Sequence, residues 1–126
     1  MKNITEEQKK MIVTQLGNGI DLDTAAAVAG VSTYVLYGYL ERGKIEQERI
    51  IEGGKPYKRE APYLSLWEEI TQARGKGVAQ AQQAIISSFK DDWKAAAWYL
   101  ERTHPTVFST PATKAIVESK VKGELE

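Results

Sequence analysis

The chain has 126 residues, with 17 basic and 17 acidic groups and a formal net charge of zero. That length suits one or two small domains, and its apolar runs are too short to cross a bilayer. There is no Cys, which excludes a disulfide framework and thiolate metal sites.

The opening "MKNITEEQKK" lacks a signal-peptide apolar core, so the cytoplasm is the expected compartment. Thr5 can cap a first helix, with Gln8 as the reciprocal partner of a capping box. Met11, Ile12 and Leu16 recur at helical spacing, and "GNG" at 17–19 stops the run. Asp23 or Thr24 is positioned to cap a second helix, "AAAVA", which Gly30 ends. Ser32 or Thr33 caps a third, expected to run to about Arg42 with Gly43 as its stop. Ala25, Ala26 and Ala29 are small enough for close helix crossing, and only Gly turns cheaply into the left-handed region at position 30. Leu36 and Leu40 then face a core, while Thr33, Tyr34, Tyr37 and Gly38 face solvent.

Residues 45–62, "IEQERIIEGGKPYKREAP", hold two Gly and two Pro among many charges and read as a helical extension into a flexible linker. Tyr63 to Phe89 reads as one long helix, with Leu66, Trp67 and Ile70 on an apolar face continued by Val78, Ala81, Ile85 and Phe89. Gly75 and Gly77 sit inside it, where they either kink the helix or admit a neighbour. "DDWKAAAWYLERTHP" is the last clear helix, capped by Asp91 or Asp92, with Trp93, Ala96, Ala97 and Leu100 as an inner stripe and Pro105 as its end. Residues 112–122 form either a short amphipathic helix or an added strand. The expected fold is all-α. It divides into an N-terminal domain at 1–45, a linker at 46–62, a helical hairpin at 63–105 and a tail at 106–126.

"GVSTYVLYGYL" resembles the recognition helix of a helix-turn-helix, as found in phage proteins and transcription regulators. In that pattern the Gly38 position often carries Arg or another long polar residue. Nothing here offers a bidentate contact to guanine. Ser32, Thr33, Tyr34 and Tyr37 suit phosphate contact, thymine-methyl packing or shape reading. Basic groups lie outside the helix: Arg42 and Lys44 at its end, Lys55, Lys58 and Arg59 in the linker, and Lys9 and Lys10 on the first helix.

The long helix with Trp67, followed by "DDWKAAAWYLERTHPTVF", makes residues 5–108 resemble the small subunit of a phage terminase. The resemblance implies a homo-oligomeric ring that recognises the packaging-start site on double-stranded viral DNA in the host cytoplasm. It also implies delivery of that DNA to a large terminase subunit, the ATPase and nuclease, with the tail at 106–126 as docking element. The hairpin residues Leu66, Trp67, Ile70, Val78, Ala81, Ile85, Phe89 and Trp98 are the expected oligomerisation surface. Multivalency in a ring would raise the affinity of weakly charged modules. Two rivals stand beside this reading: a dimeric helix-turn-helix transcription regulator, and a scaffold module that never meets DNA. One His, no Cys and no carboxylate cluster argue against an enzyme, a metal or a cofactor. "GGK" and "GKG" lack the rest of a phosphate-binding loop.

Overall fold

In a computed structural model, residues 1–108 are described, and every regular element among them is helical. The α-helices are α1 (Glu6–Gly17), α2 (Leu22–Ala29), α3 (Thr33–Ile51), α4 (Ala61–Ser87), α5 (Trp93–Thr103) and α6 (Pro105–Phe108). Short 3-10 turns precede α4 (Lys58–Glu60) and α5 (Ser88–Lys90). The expected tail helix or strand at 112–122 and the expected docking role of the tail lie outside the described residues.

Local chemistry sets most helix ends. Thr5 caps α1: its hydroxyl accepts from the Gln8 N–H at 3.1 Å while Gln8 Oε1 accepts from the Thr5 N–H at 3.0 Å. Two of the four orphan donors of the helix start are thereby satisfied. Asp21, and not the expected Asp23 or Thr24, caps α2 by accepting from the Thr24 N–H. Asp23 lies one turn position inside the helix, where its side chain is free for another use. Gly30 ends α2 at φ 74°, and Ser32 opens α3. Asp92 caps α5. Pro105 follows the end of α5 and opens α6, as its fixed φ allows.

The chain divides into two compact units, Met1–Ala81 and the residues from Gln82 onward. The first is a packed bundle. Ile12, Leu16, Leu36, Leu66 and Ile70 are its largest fully buried side chains, joined by Ala25, Ala26, Ala29, Val31 and Leu40. Burying a Leu or Ile contributes about 1.5–3 kcal/mol, so the start of α4 is an integral wall of this core. The domain boundary expected in 46–62 is therefore displaced. Leu66 and Ile70 are spent inside the chain's own core, which corrects their assignment to an oligomerisation surface.

The third helix does not stop at Gly43. It continues to Ile51, because Gly43 is a crossing point: a Cβ there would overlap the Tyr63 carbonyl and lie 2.7 Å from Trp67 Cβ. Gly77 does the same for α4 against the end of α1, where a Cβ would overlap the Leu16 carbonyl. Between these points Lys9 on α1 is turned inward and ion-paired to Glu69 on α4, so it is not a surface cation.

In the second unit, Phe89 packs against Tyr99 with ring centroids 5.5 Å apart. Its half-buried stripe on α5 is Ala95, Ala96, Tyr99 and Leu100. The expected stripe is thus rotated: Trp93 is 73% exposed, and Ala97 is exposed too.

Candidate nucleic-acid interface

α3 presents the face that the sequence assigns to DNA. Ser32, spent as the helix cap, is exposed, as are Thr33 and Tyr34, the latter 88% exposed. Gly38 leaves a bare notch: a Cβ there would meet nothing within 4 Å. Thr33, Tyr34, Gly38, Tyr39 and Arg42 line one shallow groove, with Asn3 at its edge. Buried Leu36 and Leu40 hold the opposite side of the helix to the core, so the groove stands on a fixed support.

The polar groups of this face are less available than their positions suggest. The Tyr37 hydroxyl donates to Asp23 Oδ1 at 2.6 Å, tying α3 to α2. That bond to a carboxylate holds the phenol above its usual pKa. Arg42 grips Glu60 with both arms, Nε–Oε2 at 2.8 Å and Nη2–Oε1 at 2.9 Å, and stacks 3.9 Å from the Tyr63 ring centroid. A bidentate fork filled by a carboxylate cannot simultaneously hold a phosphate. Glu60 correspondingly sits below the usual carboxylate range, chiefly through its bond to Arg42.

The basic residues after α3 are differently placed. Lys44, Lys55, Lys58 and Arg59 are all exposed. Among the described residues the three lysines make no ion pair, and Arg59 approaches Glu60 only at 3.8 Å. The segment carrying the last three is no flexible linker. Glu46, 3% exposed, accepts from Arg49 Nε at 2.7 Å and from the Tyr57 N–H at 2.8 Å. Arg49 in turn donates to the Lys55 carbonyl and lies 3.6 Å from the Tyr57 ring centroid. Gly53 makes the reversal at φ 104°. Glu46, Arg49 and Glu60 were invisible to sequence reasoning. The only signal was the Glu46–Arg49 spacing of three, common on any solvated helix.

The remaining predicted interface residues are shared between the two compact units. Trp67 is half-buried, and its indole N–H donates to Gln47 Oε1 at 2.9 Å. Val78 and Ala81 are exposed, Ile85 and Phe89 half-buried. Trp98 is 46% exposed, with Arg102 5.3 Å from its ring centroid.

Among the described residues no group of three or more His, Cys, Asp or Glu is placed to hold a metal ion, and no helix is long and apolar enough to cross a membrane. Comparison with protein-family models, curated proteins and solved structures finds no match to this chain.

Proposed function

We propose that the chain is a phage terminase small subunit. In this reading it is a helix-turn-helix adaptor that assembles through an α4–α5 hairpin, binds double-stranded viral DNA at the packaging-start site in the host cytoplasm, and delivers it to the large terminase subunit. The adaptor itself catalyses nothing. The observation that carries the reading is the outward face of α3. It follows a left-handed Gly30 turn, rests on a packed core, and leaves Thr33, Tyr34 and the Gly38 notch uncovered. Exposed Lys44, Lys55, Lys58 and Arg59 supply cations for phosphate contact. With both α3 arginines already engaged by glutamates, affinity comes from backbone contacts and from several copies acting together.

One observation favours a second reading. Arg42 is occupied by Glu60, Tyr37 by Asp23, and the net charge is zero, which suits a scaffold whose α3 face meets protein. Titrating fluorescent duplex DNA at stepped salt concentrations separates the two. The adaptor binds, and log affinity falls linearly with log salt. Absence of salt-dependent binding across the range would leave the scaffold. A plain dimer in the same preparation would instead favour a transcription regulator.

A further inference from the structure

We infer that Glu46 is a positioning residue: it clasps the segment 53–59 onto α3 and so makes Lys55, Lys58 and Arg59 a fixed strip facing the phosphate backbone of a nucleic acid. The inference rests on the DNA-binding reading above and deepens it.

The geometry is that of a clasp with one buried hub. Glu46 is the most deeply buried carboxylate of the described chain, yet it caps no helix. Its two oxygens are divided between two tasks. Oε1 receives Arg49, and Oε2 receives the Tyr57 backbone N–H. Arg49 extends the hold to the Lys55 carbonyl and covers the Tyr57 ring. A buried carboxylate is retained at a desolvation cost unless its partners satisfy it. Here every partner lies in, or reaches, the segment that carries the three exposed cations. Buried ionic groups are best attested as devices that fix one arrangement among several.

Fixing the strip matters for binding a polyanion. Three cations on a mobile loop must each be ordered when they meet phosphates, and ordering a residue costs backbone entropy. A clasped segment has met that cost on folding. Glu60 acts in the opposite sense. It lies at the far end of the same segment, next to α4, whose position is set by buried Leu66 and Ile70. It fills the Arg42 fork and contributes negative charge beside Arg59.

The test uses two isosteric changes that each remove one negative charge. Electrostatics alone makes both E46Q and E60Q bind duplex DNA more tightly. The clasp predicts opposite signs. E60Q frees Arg42 for a phosphate, tightening binding and steepening the log–log salt slope by about 0.9 per added contact. E46Q turns an amide N–H toward Arg49 or Tyr57, releases the segment, weakens binding and flattens the slope by about one to two such contacts. Circular dichroism checks that both variants keep the wild-type fold. Hydrogen exchange at the Tyr57 amide and trypsin cleavage after Lys58 read the clasp without DNA. Both rates rise in E46Q and stay at the wild-type level in E60Q. Tighter binding by E46Q overturns the positioning role. Unchanged Tyr57 protection in E46Q overturns the clasp whatever DNA does. No DNA binding by the wild-type protein sinks the function proposed above and the use of the strip with it, and exchange and cleavage still decide whether the clasp exists.

Discussion

Gly43, Gly75 and Gly77 are one residue type in helix interiors, yet they meet two different environments. In an exposed interior, Gly is worse than Ala by about 0.5–1 kcal/mol through backbone entropy. Gly75 is such a case, since a Cβ there meets nothing within 4 Å. At Gly43 and Gly77 the added methyl would overlap backbone carbonyls of Tyr63 and Leu16, which cannot swing aside as a side-chain tip does. Overpacking of this kind typically costs about 1–3 kcal/mol. Gly75→Ala is therefore expected to raise stability to urea by about 0.5–1 kcal/mol, while Gly43→Ala and Gly77→Ala lower it by about 1–3 kcal/mol. Equal midpoints for all three variants would refute the two close helix crossings. The same three residues show why sequence reading misplaced the end of α3. A Gly after a helical run looks like a C-terminal stop, and only the approach of α4 from a distant part of the chain makes Gly43 an interior contact.

At the scale of elements, what was legible was local. The Thr5–Gln8 box, the Gly30 turn, the Ser32 cap and the Asp92 cap each depend on residues within three or four positions, and each was within reach of pattern reasoning. The apolar face of Leu66 and Ile70 was legible as a face, but its partner was not, because periodicity says what is buried and not against what. The segment 53–60 was the least legible. Its Gly, Pro and charge content reads as linker, and its order comes from side-chain bonds to Glu46 and Arg49 on another element. Those bonds give the segment a pH dependence. Arg49 beside Glu46, together with the Tyr57 N–H, holds that carboxyl below its ordinary value of 4.5. A carboxyl depressed in the folded state contributes stability that is fully present above its unfolded value and is lost as pH falls through the folded one. The segment should stay closed above about pH 4.5 and open on further acidification. The Tyr57 amide signal followed by NMR from neutral pH downward reports this. Opening on the alkaline side near neutrality, with the acid side unchanged, would show the wrong sign and reject the Glu46 carboxylate as the latch.

At the scale of the whole molecule, the distribution of burial is uneven. The last buried side chain along the described chain is that of Ala73; from Val78 to Val107 none is buried. Yet this stretch carries Ile85, Ile86, Phe89, Trp93, Trp98, Tyr99 and Leu100, and α5 is amphipathic. A helix of eleven residues is marginal in water unless an apolar face finds a partner. Within its own unit α5 has the Phe89–Tyr99 contact and a half-buried stripe, which leaves Trp93 73% and Trp98 46% exposed. Large exposed apolar groups of this kind mark surfaces that associate, and identical copies commonly close around a symmetry axis. Sedimentation equilibrium should therefore give a mass that rises with concentration to a multiple of the 14.0 kDa protomer. The tryptophan emission should shift to the blue over the same range. Replacing Trp93 and Trp98 together by Glu should return the mass to that of the protomer. The unit ending at Ala81 holds all the buried side chains among the described residues, so its melting should be unaffected by that change. A wild-type mass of one protomer at every concentration would remove the multivalency that the proposed grip on DNA requires. A double variant that still assembles would move the interface away from α5.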